Sequence, residues 1–224
     1  MMELVTSADR GAAAEGLADR IANDLHRAIL TSGRASLAVA GGTSPGPVFD
    51  RLSQAGIDWS RVTVMPTDER WVPEDDARSN AGLIRDRLLR GPAAVAAYLS
   101  LHADAPAPEP ALPALGAAVK EHLPLSVVLL GMGGDMHTAS LFPGAPGLTM
   151  ALAANAPPVV ALRPEDQPEV RVSLSGPVLQ SAGICHVLIF GDDKRAALER
   201  AADLPVEAAP IRAVLDDAMV HWAP

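Results

Sequence analysis

Between Ala8 and Leu30, the residues Leu17, Ile21, Leu25, Ala28 and Ile29 recur at helical spacing, and Asp19, Arg20, Asn23, Asp24 and Arg27 fall largely between them. One apolar face and one polar face predict an amphipathic helix. The pattern then changes to short, nearly unbroken apolar runs: "ASLAVA" (35–40), "RVTVMPT" (61–67), "AAYLSL" (96–101) and "LSVVLLG" (125–131), followed by "PPVVAL", "VRVSLS", "ICHVLIF" and a final "AMVHW". Each reads as a strand. Between them lie helical stretches such as "AGLIRDRLL", which Ser79 or Asn80 is placed to cap, and "DDKRAALERAA". "HADAPAPEPALP" reads as a surface loop ahead of a helix, because its prolines and alanines carry no apolar period and the strand–helix rhythm resumes after it.

Continuous apolar strands alternating with helices imply an α/β fold with a mainly parallel sheet covered on both faces. The chain shows no internal repeat, and 224 residues are compatible with one domain over 1–224. In open sheets of this kind ligands gather beyond the carboxyl ends of the strands. "GGTS", "TDER" and "GMGGDMH" each follow a predicted strand directly, so three polar segments are expected to meet at one rim.

Composition narrows the function. The formal net charge of -9 argues against a general polyanion-binding surface, so nucleic acid is not an expected partner. No apolar run approaches the roughly 20 residues that span a bilayer, and "MMELVTSADRGAAAEG" lacks the basic start and apolar core of a signal peptide. The single Cys185, inside "ICHVLIF", reads as a buried inert thiol. Together these predict a cytoplasmic protein that does not engage membranes.

At the rim, "AGGTSPG" offers backbone N–H groups and the Thr43 and Ser44 hydroxyls to a phosphate, although a plain tight turn explains the same residues. "TDERW" gives Asp68, Glu69 and Arg70, which by themselves suit a solvated loop as well as a site. In "GMGGDMHTAS" the glycine spacing does not match the dinucleotide fingerprint, and no metal-ligand spacing or nucleophile elbow is present. His137 is the candidate proton acceptor. Asp135, two residues before it, either orients the imidazole, shares its proton load or caps a helix. Arg171 and Lys194, the latter at a predicted helix start, are further candidate cations for an anion.

Taken together, "AGGTSPGPVFDRL", "VTVMPTDERWVPEDDARSN", "LLGMGGDMHTASLFPG", "RVSLSGPVL" and "FGDDKRAAL" resemble the successive motifs of the 6-phosphogluconolactonase family. They occur in family order over about residues 35 to 200. The resemblance implies a Rossmann-like three-layer α/β/α domain without a nucleotide. It also implies hydrolysis of 6-phosphoglucono-δ-lactone, a step of the pentose phosphate pathway, with no metal or other cofactor. On that resemblance His137 is the general base, while Arg70, Arg171 and Lys194 are cations for the 6-phosphate. Gly41, Gly42, Thr43 and Ser44 complete the phosphate pocket, and Asp68 and Asp135 line the sugar side. The expected partner is a small sugar-phosphate lactone, bound by a monomer or weak homodimer.

Two alternatives are weighed against this. Glucosamine-6-phosphate deaminases resemble the same stretch but carry a Glu where this chain has Phe142, and a non-catalytic sugar-phosphate sensor of a repressor would carry an added DNA-binding module. One departure from the lactonase pattern stands out: Met136 occupies the position of a family glycine between Asp135 and His137. We expect an ordinary α or β conformation at Met136, because methionine has no side-chain group to compensate a positive φ.

Overall fold

In a computed structural model, which describes residues 2–165 and 167–224, the apolar runs assemble into a seven-stranded, wholly parallel sheet and a smaller antiparallel one. The chain begins with β1 (Glu3–Thr6) and the long helix α1 (Arg10–Ser32). Asp9 caps α1 by accepting from the Ala12 N–H at 2.8 Å, and Gly33, at φ 74°, ends it while its N–H donates to the Ile29 carbonyl. Next come β2 (Ala35–Val39), α2 (Gly46–Leu52), β3 (Val62–Pro66), β4 (Asp68–Arg70), α3 (Asn80–Arg87), β5 (Ala97–Tyr98), α4 (Leu112–Lys120) and β6 (Val127–Gly131). The second half holds α5 (Leu148–Leu152), β7 (Val159–Leu162), β8 (Arg171–Leu174), α6 (Gly176–Gln180), β9 (Ile184–Phe190), α7 (Asp192–Ala201), α8 (Arg212–Leu215) and β10 (Ala218–Ala223).

The large sheet runs β1-β10-β9-β6-β2-β3-β5. Alternate residues of its strands point into two separate cores, which is why the strands read as unbroken apolar runs. Leu37, Val39, Val127 and Leu129 pack with Leu17, Ile21, Leu25, Phe49 and Ile84 of α1, α2 and α3. Ala38, Val128, Leu130 and Val187 face the other way, against Val119, Leu148, Leu179 and Leu198 of α4, α5, α6 and α7. The result is the expected three-layer α/β/α arrangement. Among the described residues no helix is long and apolar enough to cross a membrane.

Several expectations need correction. "ASLAVA", the first run in the chain, is not the first strand: β1 precedes the first helix and pairs with β10 at one edge. "VVAL" and "RVSL" do not join the parallel sheet but form a β4-β8-β7 antiparallel sheet, whose Val160, Leu162, Val172 and Leu174 close over one face of the main core. "DER" is therefore a strand rather than a loop. The run at 96–101 contributes only the two residues Ala97–Tyr98 at the opposite edge.

Beneath α1 lies a buried polar chain. Asp24 Oδ2 accepts from His186 Nε2 on β9 at 2.9 Å, and His186 Nδ1 is 3.0 Å from His221 Nε2 on β10. Burial, His186 and Arg20 together push the His221 imidazole down to about 3. Cys185 is buried, as expected, and burial pushes its thiol up to about 12.

Candidate active site

The chain runs outward from β2 to β3 and β5, then returns to the other side of β2 at β6, so the order reverses between β2 and β6. A cleft of about 460 Å³ opens at that switch point. Gly41, Gly42, Thr43, Ser44, Asp68, Arg70, His137, Arg171 and Lys194 all line it. Of the ten candidate residues only Asp135 does not, and it touches His137 instead.

The segment after β6 folds tightly. The Gly133 N–H donates to the His137 carbonyl at 2.9 Å, and the Met136 N–H donates to the Gly133 carbonyl at 3.1 Å. Within this loop Asp135 Oδ1 lies 2.6 Å from His137 Nδ1 and also accepts from the His137 backbone N–H at 3.2 Å. No helix starts here, so Asp135 caps none, and its carboxylate lies against the imidazole instead. With Nδ1–H donated to the carboxylate, Nε2 is left as the basic nitrogen of a half-buried imidazole. Closing so short a loop requires a left-handed residue, and Met136 supplies it at φ 68°. The expectation of an ordinary conformation there is wrong. Packing of the side chain against the core and the Ile211 N–H donated to the Met136 carbonyl at 3.1 Å offset the strain.

The acidic pair divides its labour. Glu69 is buried and accepts from the N–H groups of Arg70, Asn80 and Ala81 at 2.9, 2.7 and 2.8 Å and from the Ser79 hydroxyl at 3.0 Å. Burial pushes its carboxyl up while these four donors pull it back. It closes the N-terminus of α3, so the solvated-loop reading does not hold for it. Asp68 faces the cleft, held by the Ser140 hydroxyl at 2.5 Å and the Thr67 hydroxyl at 3.2 Å.

The three expected cations crowd the same cleft. Arg171 is only 6% exposed; it donates to Gln167 Oε1 at 2.5 Å, and its buried Nε has no hydrogen-bond partner among the described residues. Burial and then the neighbouring Arg70 charge hold its guanidinium below the ordinary arginine value. Arg70 donates to the Arg78 carbonyl, and among the described residues its Nε too has no partner. Lys194, in the first turn of α7, donates to the Met132 carbonyl; burial lowers its ammonium and Asp135 partly restores it. Guanidinium groups packed together with open donors form a site that favours an anion between them.

Residues not singled out beforehand also shape the cleft. Asn80 donates to the Asp68 carbonyl at 2.7 Å, and its amide lies where a Cβ on Gly41 would fall, 1.9 Å from Oδ1, so Gly41 has to be glycine. The signal was present in the "SN" of the second motif. Gln167 and Arg10 carried none. Among the described residues no group of three or more His, Cys, Asp or Glu side chains is gathered as a metal's ligands would be.

The fold and cleft define a three-layer α/β/α protein with a cation-lined, histidine-bearing cleft at its switch point. Residues 8–222 match the model of the family described as glucosamine-6-phosphate isomerases/6-phosphogluconolactonase, and the chain belongs to that family. A 6-phosphogluconolactonase of Pseudomonas aeruginosa is 41% identical over 96% of this chain and 93% of its own length, and one of Rhizobium meliloti is 42% identical over 95% of each. The crystal structure of a 6-phosphogluconolactonase from Shewanella baltica superposes with a TM-score of 0.96 at 33% identity, covering 100% of this chain and 98% of that one.

Proposed function

We propose that this chain hydrolyses 6-phospho-D-glucono-1,5-lactone to 6-phospho-D-gluconate, acting as one lactonase domain in the cytoplasm. The observation that carries the reading is the Asp135–His137 pair at 2.6 Å on the rim of a cleft where Arg70, Arg171 and Lys194 converge. The family relatives named above support the choice of substrate.

A lactone is an activated ester, so the reaction as written draws on water and side chains alone. His137 Nε2 takes a proton from a water whose oxygen attacks C1 of the lactone. The tetrahedral intermediate collapses with cleavage of the C1–ring-oxygen bond, and the imidazolium returns its proton to that oxygen. The new carboxylic acid then ionises to solvent. Asp135 holds the tautomer and stabilises the transient imidazolium, while the cations and the Gly41–Ser44 backbone anchor the phosphate and keep C1 in line with the water. Phe142 brings no titratable group beside His137, which disfavours sugar-ring isomerisation and deamination.

The test is hydrolysis of freshly made phosphorylated lactone, corrected for the spontaneous rate. The wild type is expected to accelerate it, and His137→Asn to lower kcat about 10²-fold with little change in binding of a product analogue. Ammonia release from glucosamine 6-phosphate in place of lactonase activity would overturn the proposal.

A further inference from the structure

We infer that Phe142 is a positioning residue for the His137 imidazole, an inference that rests on the reading of His137 as the base. Residues 138–141 form a tight reversal: Thr138 bridges Leu141 in antiparallel register, the Leu141 N–H donates to the Thr138 carbonyl at 2.9 Å, and Ala139 takes a φ of 47°. Both arms of the reversal are anchored. Thr138 donates its hydroxyl to the Gly131 carbonyl at 2.9 Å, Ser140 donates to Asp68, and Leu141 is wholly buried in the core. The chain therefore returns Phe142 directly over His137, with ring centroids 4.3 Å apart and planes 32° from parallel.

The imidazole is thus held on three sides. Asp135 takes the Nδ1 edge, Phe142 packs against the ring, and Gly133 lies so close that a Cβ there would fall 2.3 Å from Cε1. Only Nε2 is left to act. A phenyl ring offers no group that competes for the imidazole proton, and a π face favours the imidazolium formed when the proton is taken from water. Without the ring, the imidazole gains freedom to rotate away from the Asp135 hydrogen bond, and the base loses its alignment rather than its chemistry.

The experiment compares Phe142→Leu and Phe142→Tyr with the wild type in lactone hydrolysis and in the ¹⁵N-detected imidazole spectrum. Phe142→Met takes the place of leucine if that variant does not fold. The expected result is a fall in kcat of about 5- to 20-fold for leucine with KM changed less than about twofold, and recovery of most of kcat in tyrosine. The hydrogen-bonded Nδ1 proton of His137 is expected to be visible in wild type and tyrosine and lost to solvent exchange in leucine. An unchanged kcat and Nδ1 signal in leucine, or equal losses in leucine and tyrosine, would overturn the inference. If the wild type does not hydrolyse the lactone, the proposed activity falls, and the Nδ1 signal alone then supports or overturns the positioning role.

Discussion

Gly133 sits directly beneath His137: a Cβ built on the glycine would lie 2.1 Å from the imidazole Nδ1 and 2.2 Å from the Asp135 carboxylate. The Asp135–His137 hydrogen bond therefore occupies the space a side chain would need. Gly133→Ala is expected to force the pair apart and lower kcat about 10²-fold, a loss similar to that of His137→Asn, because proton transfer depends on alignment within fractions of an ångström. Gly134→Ala is the matched control, since nothing among the described residues lies within 4 Å of its Cβ position. Steady-state kinetics on both variants check the contrast, and equal activity of the two would show that the loop yields easily.

The buried Arg171 and the half-buried Lys194, both lining the cleft, imply a different kinetic signature. Arg171→Ala and Lys194→Ala are each expected to raise KM for the phosphorylated lactone about 10- to 100-fold with a smaller effect on kcat. On unphosphorylated gluconolactone, expected to be a poorer substrate because it lacks the anion, the same variants are expected to differ little from wild type. An unchanged KM for the phosphorylated substrate would remove them from the anion site.

How far the sequence anticipates this arrangement depends on what each signal measures. The convergence of "GGTS", "TDER" and "GMGGDMH" was legible, because a strand buried on both faces has to deliver its next residues to the sheet's carboxyl rim. The sheet that receives a strand was not legible for "VVAL" and "RVSL", since a short apolar run looks the same in a parallel or an antiparallel partner. β1 escaped because four residues, only two of them strongly apolar, carry too little period. Glu69 looked solvated because its burial is created by donors eleven and twelve residues away, Asn80 and Ala81. Met136 was misjudged for a related reason: its backbone angle is imposed by hydrogen bonds across the loop, which outweigh a single residue's preference.

The His221 imidazole, pushed down to about 3 in the folded chain, makes stability depend on pH. Near pH 6.5 and below, the unfolded chain takes up a proton on this residue that the folded chain refuses, so unfolding is favoured as pH falls from about 6.5 toward 3. The contribution approaches about 1.4 kcal/mol for each pH unit within that window. Asp24, whose carboxyl is lowered in the folded chain, adds to this loss only once the unfolded carboxylate begins to protonate, whereas Glu69, whose carboxyl burial raises, acts in the opposite sense, so the His221 variant is what isolates the histidine's share. Urea unfolding across this range is expected to show a falling midpoint for wild type and a flatter dependence for His221→Gln. Identical slopes would place the sensitivity elsewhere.

Met136 at φ 68° gives the last prediction, and two substitutions isolate it. Alanine and glycine both discard the methionine's packing against the core, so their difference reports the backbone alone. At a left-handed position a Cβ costs about 1 to 2 kcal/mol, whereas at an ordinary α or β position glycine is the worse residue by about 0.4 to 1 kcal/mol through the freedom it adds to the unfolded chain. Met136→Gly is therefore expected to be more stable than Met136→Ala, the reverse of the usual order. Against wild type the glycine variant is expected to lie within about 1 kcal/mol, because relief of strain and loss of a half-buried side chain oppose each other. Denaturant midpoints for the three proteins decide the matter, and an alanine variant more stable than the glycine variant would show that the loop does not impose a positive φ at this residue.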